Sequence, residues 1–181
     1  ATLGMDWISP ELRENRGEIE AAQEGKLPKL VELSDIKGDL HNHSNWSDGI
    51  PTFEEMAEHA IKMGYKYLVV SDHSKSLHIA NGLEDDELLE EIEAIDKLNK
   101  KFKGFTLLKA TEVDIKSDGS LDFPDKLLEK LDIVVASIHS GFKQGTEKIT
   151  ERMIAAIRNP QVNIIAHPTG RLISKREGYE I

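Results

Sequence analysis

The stretch "IKGDLHNHSNWSDGIPTFEEMAEHAIKMG", Ile36 to Gly64, runs from a short strand-like segment through a loop crowded with His41, His43 and Asp48 into a helix. Thr52 and Glu55 form the T-x-x-E pattern of a capping box, in which each side chain satisfies the other residue's backbone N–H, and Gly64 supplies the stop. This is one βα unit. Further along, "YKYLVVSDH" reads as an apolar strand, and "EDDELLEEIEAIDKLNKKF" places Leu88, Ile92, Ile95, Leu98 and Phe102 at helical spacing. "FTLLKATEVDI" and "PDKLLEKL" repeat the succession, as do "DIVVASIH" and "TEKITERMIAAIRN", and "VNIIAHP" supplies a fifth strand. Near-continuous Val/Ile/Leu strands alternating with helices predict an α/β protein with a parallel sheet, either doubly wound or closed into a barrel.

The residues before this array have another character. "SPELRENRGEIEAAQEG" is polar and helix-like, with Ser9 placed to cap and Pro10 at the first helical position, and it reads as a lead-in. The chain has 181 residues, 39% hydrophobic and 31% charged, which suits one folded domain. With no cysteine, disulfides and thiolate zinc sites are excluded, so a metal must be held by nitrogen and oxygen. The formal charge of −10 excludes a binder that grips nucleic acid through a broad basic face, although not nucleic-acid chemistry at a cation-bearing site. Neither a signal-like pattern nor an apolar run of membrane-spanning length is evident, so the expected location is cytoplasmic, with no membrane partner.

Parallel α/β folds gather functional side chains at the carboxyl ends of their strands, where the loops diverge. Here each predicted strand delivers a nitrogen or oxygen ligand to that rim: His41 and His43, then Asp72 and His73, Glu112 and Asp114, His139, and His167. Five of the seven histidines fall at strand ends, while His59 sits on a helix, where it reads as solvated, and His78 in a loop. His41 and His43, two apart on a strand, would point to one face and reach one cation, with Asp48 swinging back over them. A pair of satisfied polar histidines would be the plain reading of H-x-H alone; the convergence of five strand ends points instead to a polynuclear metal centre. Asp72 and Asp114 are candidate outer carboxylates that orient metal-bound imidazoles. Lys75 and Arg171 follow ligand-bearing strand ends and are candidates for holding substrate phosphate oxygens. Ser44, Ser74 and Ser140 adjoin ligands but read as structural, since any base for a serine nucleophile would be one of the histidines already engaged.

With these residues in hand, "DLHNHSNWSDG", "VVSDH", "ATEVD", "ASIHSG" and "IIAHPTGR" resemble, in order and spacing from about Gly38 to Arg171, the PHP (polymerase and histidinol phosphatase) superfamily of metal-dependent phosphoesterases. "SDHSKSLHIANGL", "DGSLDFPDKLLEKLDIVVASIHSGF" and "PELRENRGEIEAA" further resemble the carboxyl-terminal PHP domain of bacterial and archaeal family X DNA polymerases and its preceding linker. That resemblance implies that residues 1–37 lead in from a polymerase region and residues 38–181 form the PHP domain. It also implies a distorted seven-stranded (β/α) barrel, of which about five βα units can be counted here. Two to three divalent ions are implied, manganese or zinc with iron a further option. His41, His43 and Glu112 would hold one, Glu112 would bridge to a second held by His139 and His167, and Asp48 and His73 would hold a third. The family completes its centre with a later D-x-H motif, and no such motif follows His167. The remainder of the barrel is therefore expected to lie outside this sequence, with the open edge pairing with that segment or with a second copy.

The resemblance implies hydrolysis of DNA phosphodiesters, as a 3′→5′ exonuclease or 3′-end processing activity beside a polymerase domain, with DNA 3′ ends as substrate. A phosphomonoesterase of histidinol-phosphatase type and a non-catalytic structural module are the competing readings.

Overall fold

A computed structural model describes residues 3–181, which divide into two compact units, one reaching to Ile36 and one spanning Lys37–Ile181. In the first, a 3-10 turn at Pro10–Leu12 precedes a short helix α1 (Glu18–Gln23). The continuous polar helix predicted there is broken because Asn15 and Gly17 take positive φ, 55° and 93°. Ser9 stands at the cap position without a side-chain capping bond.

The second unit is built on five parallel strands, β1 (Gly38–Asp39), β2 (Tyr67–Val70), β3 (Thr106–Asp114), β4 (Ile133–Ser137) and β5 (Ile164–Ile165), hydrogen-bonded in the order β1-β2-β3-β4-β5. The connections carry α2 (Phe53–Lys62), α3 (Asp85–Asn99), α4 (Asp125–Leu128) and α5 (Thr146–Arg158). Right-handed crossovers in a sheet whose order never reverses place every helix on the same face. A doubly wound sheet needs a reversal. The sequential order therefore gives a curled half-barrel and decides between the two architectures that periodicity alone left open.

Side-chain alternation then separates the two faces of the sheet. Leu68, Val70, Leu107, Val113, Val134, Ala136 and Ile138 turn toward the helices. One buried cluster joins Leu68, Val70 and Leu107 to Phe53, Met56, Ala57 and Ala60 of α2 and to Ile95 and Leu98 of α3. Another joins Val113, Val134, Ala136 and Ile138 to Leu88 and Ile92 of α3, Leu127 and Leu128 of α4, and Ile149, Met153 and Ala156 of α5. Each fully buried aliphatic side chain there contributes about 1.5–3 kcal/mol. The residues of opposite parity, His73, Glu112, Asp114, Ser137 and His139, are left for the concave side.

The predicted capping box of α2 is present: Glu55 N donates to Thr52 Oγ1 at 3.3 Å, and Thr52 N donates to Glu55 Oε2 at 2.9 Å. The outer strands are shorter than predicted, at two residues each. Beyond β1 the backbone stays beside β2 through other bonds, Ser71 N to Asn42 O at 2.8 Å and Asn42 Nδ2 to Val69 O at 3.3 Å, so His41 and His43 lie on a loop. No helix among the described residues is long and apolar enough to cross a membrane.

Glu91 breaks the pattern of α3. It is 1% exposed, and neither carboxyl oxygen has a hydrogen-bond partner among the described residues. Burial pushes its pKa well above the usual carboxylate range, and the nearby charge of Asp72 adds to the shift. A folded-state pKa raised above the unfolded value gives stability that is fully present below the unfolded pKa, near 4.5, and that is lost as pH rises through the folded pKa. Glu91→Gln, which cannot ionise, is expected to gain in melting temperature over the parent at pH 8 and to lose that advantage toward pH 5; a difference that stays flat or runs the other way would show that Glu91 is ionised in the fold.

Candidate metal centre

Glu112 sits on β3, the longest strand, between β2 and β4, with its side chain 2% exposed. Imidazole nitrogens surround its carboxylate. Oε2 lies 3.0 Å from His41 Nε2, 3.4 Å from His43 Nε2 and 3.2 Å from His73 Nδ1. Oε1 lies 2.8 Å from His167 Nε2 and 3.3 Å from His139 Nε2, and accepts a hydrogen bond from Ser137 Oγ at 2.6 Å. The cluster is continued by Asp48, whose Oδ1 is 3.7 Å from His43 Nδ1 and 3.6 Å from His73 Nε2. The seven residues whose spacing suggested a metal centre are therefore assembled on one rim.

The arrangement is over-subscribed as a set of hydrogen bonds. A carboxylate offers about four lone-pair sites, yet six groups converge on this one, five of them imidazoles that repel one another when protonated. His43 Nδ1 and His73 Nδ1 are buried without a hydrogen-bond partner among the described residues. A shared cation resolves both problems, because it accepts lone pairs from carboxylate and neutral imidazole alike. Ligands about 2.1 Å from one ion stand roughly 3.0 Å apart along an octahedral edge and roughly 3.4 Å along a tetrahedral one, the separations found around Glu112. Three triads bring their ligand atoms within 4.8 Å of one another: His41, His43 and Glu112; His43, Asp48 and His73; His73, Glu112 and His139. The donor set fits divalent ions such as zinc or manganese.

The electrostatics reflect the crowding. Burial works to raise the Glu112 pKa, but the bonds from His139, His167, His41 and Ser137 outweigh it and hold the carboxyl far below the usual range. Its bond to His41 raises that imidazole. Burial lowers His73. At His139 burial is outweighed by Asp114 and Glu112, which push the pKa up to about 9.

Asp114 Oδ1 lies 3.3 Å from His139 Nδ1 and accepts the His139 backbone N–H, also at 3.3 Å, so it turns Nε2 toward Glu112. Asp72 does something other than orient an imidazole. As the neighbour of His73 on an extended chain it must face the opposite side, and there its carboxylate accepts from Ser44 N at 2.7 Å, from Ser47 Oγ at 2.6 Å and from Ser44 Oγ. It pins the loop between His43 and Asp48. Gly49 closes that loop against the backbone: a Cβ there would stand 2.2 Å from His43 O. Lys75 is paired with Asp85 and lies over the Phe123 ring, 5.6 Å from its centroid, so its charge is already matched. Arg171 is exposed, with no bond to its guanidinium among the described residues. Ser74 Oγ accepts from Asp114 N at 2.9 Å, a structural role. His167 takes φ +30°, a positive value uncommon for a residue other than glycine, in a turn closed by Gly170 N to His167 O at 2.8 Å. His59 and His78 are exposed, on α2 and a 3-10 turn. Ser137 was missed by sequence reading; its signal was its position at the end of β4 two residues before His139, on the same side of the chain.

A sequential parallel half-barrel with a His/Glu/Asp rim defines a class, and comparison with known proteins identifies the family. The PHP domain family model matches residues 39–172, and the chain belongs to that family, the metal-dependent phosphoesterases its motifs resemble. A protein of Bacillus subtilis (strain 168) named DNA polymerase/3′-5′ exonuclease PolX is 49% identical over 181 residues, covering all of this chain and 31% of that protein. A protein of Thermoanaerobacter sp. (strain X514) named as a probable phosphatase is 36% identical over 135 residues, covering 72% of this chain and 53% of its own length. Another of that name from Caldanaerobacter subterraneus subsp. tengcongensis is 31% identical over 139 residues, 72% of this chain and 51% of its own length. The chain thus spans about a third to a half of these relatives.

Glu112→Gln keeps the size of the side chain but removes the charge that balances the imidazoles. It is expected to lose most bound manganese or zinc, as measured by elemental analysis after desalting, while the circular dichroism spectrum is retained. Asp114→Asn is expected to weaken metal affinity by about 10–100-fold. Unchanged stoichiometry in both variants would place the metal elsewhere.

Proposed function

We propose that this chain is the phosphoesterase part of a longer protein and that its substrate is a DNA phosphodiester, cut from the 3′ end. Residues 1–37 are then the connection from a preceding polymerase region and residues 38–181 the PHP domain. One observation supports hydrolysis most strongly: five imidazoles and the Ser137 hydroxyl converge on the single buried oxygen pair of Glu112, more groups than that pair can satisfy. The polymerase association is supported by similarity to the Bacillus protein that runs through the lead-in as well as the domain, whereas the phosphatases match only the domain-sized portion.

Two to three divalent ions held by His41, His43, Glu112, His139, His167, Asp48 and His73, manganese first and zinc or iron as alternatives, would supply Lewis acidity to a phosphoryl oxygen and lower the pKa of bound water toward neutrality. The chain's own residues divide the remaining work. Glu112, anchored by Ser137 Oγ, fixes the centre of the cluster. Asp114 sets the orientation of His139. Asp72, through Ser44 and Ser47, holds the loop that carries Asp48 at a fixed height over His43 and His73. Arg171, four residues beyond His167 and free of internal partners among the described residues, would meet a non-bridging phosphate oxygen with a two-pronged guanidinium. Lys75 has no comparable role because Asp85 neutralises it.

The phosphatase-named relatives support a second reading, hydrolysis of a small phosphate monoester. Turnover of a 5′-labelled single-stranded oligonucleotide and of 4-nitrophenyl phosphate, each with manganese, separates the two. Stepwise shortening from the 3′ end with little monoester cleavage is expected. Cleavage of the monoester alone would overturn the DNA reading, and a metal-loaded chain inert toward both would favour the structural module. Arg171→Ala is expected to slow oligonucleotide turnover by about tenfold or more, given about 1.5–3 kcal/mol for a hydrogen bond to a charged group.

A further inference from the structure

We propose that the cleft between Phe142, Lys143, Arg176 and Tyr179 is a nucleotide subsite that seats the base next to the phosphate being cut; this rests on the phosphodiester reading above. The cleft measures about 580 Å³ and is lined by Gly141, Glu177 and Gly178 as well as those four residues, a volume in the range of small-molecule sites. Both of its walls grow from loops that carry ligand residues. Phe142 is three residues beyond His139, a span of at most about 11 Å. Arg176 and Tyr179 belong to the segment after His167, which folds back and is fastened by Arg176 Nε to Gly170 O at 2.8 Å and Tyr179 N to Thr169 O at 2.9 Å.

The walls have the surfaces a base recognises. The Arg176 guanidinium lies over the Phe142 ring, 3.9 Å from its centroid, and the Tyr179 ring is nearly parallel to Phe142, at 22° and 6.0 Å. Bases stack on aromatic rings and on guanidinium planes alike, so a base extends this stack. The hydrogen bond to Gly170 holds the Arg176 plane in place while using one of its five N–H donors. The Tyr179 hydroxyl is buried with no partner among the described residues, a polar group left over beside the stack.

Charge favours the same occupant. The lining carries Lys143 and Arg176 against Glu177, and the same segment adds Arg171 and Lys175 against Glu180, a small positive excess in a chain whose net charge is −10. A polyanion approaching so acidic a protein is drawn to the place where the sign inverts. A strand whose phosphate lies at the imidazole rim would carry its adjoining base across this cleft, whereas a small phosphate ester has no base to place there.

The test uses the 181-residue chain and single-stranded DNA bearing 2-aminopurine near its 3′ end. Stacking is read as fluorescence quenching in EDTA, in parallel with turnover of the oligonucleotide and of bis(4-nitrophenyl) phosphate in manganese. Quenching by the parent is expected. Phe142→Ala is expected to weaken oligonucleotide binding about tenfold and to leave turnover of the small diester within about twofold. Lys143→Glu, at an exposed position that leaves the core untouched, is expected to weaken binding and flatten its salt dependence. Unchanged oligonucleotide affinity in Lys143→Glu and in folded Phe142→Ala overturns the subsite, as does a parent that cleaves the small diester but produces no quenching. Because quenching needs no metal, a parent that quenches but hydrolyses neither ester retains the subsite and loses the phosphodiesterase reading instead.

Discussion

The Glu112 carboxylate is the point on which the concave face depends. A carboxylate taken out of water costs several kcal/mol unless it is paired and hydrogen-bonded, and here the partners are five histidines drawn from four loops plus Ser137 from β4. Neighbouring imidazoles respond in opposite senses, His73 lowered by burial and His139 raised to about 9. Protons cannot satisfy such a cluster evenly, since each one added repels the next. Cations can, because they leave every imidazole neutral and every lone pair directed. Loading the centre and stabilising the fold are therefore one equilibrium.

Strand parity explains how the sequence could be read so far and where the reading stopped. The strand-end positions of His73, Glu112, His139 and His167 were legible because candidate ligand residues stood at or near the ends of apolar runs, and those runs are strands. Sequential order, which separates a half-barrel from a doubly wound sheet, depends on long-range pairing and was not legible from periodicity. Asp72 was legible in principle: a residue adjacent to His73 on an extended chain cannot share its face, and proximity in sequence had suggested the opposite. His41 and His43 reach one carboxylate, but from a loop held by Asn42 and Asp72 rather than from a strand. The charge of Lys75 could not be assigned without its partner, since Asp85 is ten residues away at the start of α3.

Glu91 and Arg152 are buried ionisable residues that no motif in the sequence marked. Glu91 shares the apolar stripe of α3, where a surface carboxylate would be the default, and stands beside Asp72 behind the sheet. Arg152 of α5 is 2% exposed, and its guanidinium donates to Ile115 O beyond β3, Ser140 O beyond β4 (3.1 Å) and Gln144 Oε1 (2.7 Å). Two of these three partners are backbone oxygens brought together by the fold, so no spacing rule could find them. A buried guanidinium bonded to three acceptors in two separate segments resists shear between them.

That tie explains the geometry of the His139 side of the rim. Ser140 and Ile115 follow His139 and Asp114 by one residue each, so Arg152 joins the two segments immediately beyond the histidine and its orienting carboxylate. Gly141 is part of the same packing: a Cβ there would stand 2.9 Å from Arg152 Nη1. On the other side of the rim Asp72 does the equivalent work from behind the sheet, joining Ser44 and Ser47 to β2's continuation. Each half of the candidate ligand set is thus fixed by a buried charged side chain on the helix-covered side or in the helix layer, while the concave side gathers the groups that could hold a metal. The division follows from alternation in the strands: one face can be apolar and braced only because the other carries the groups that bind.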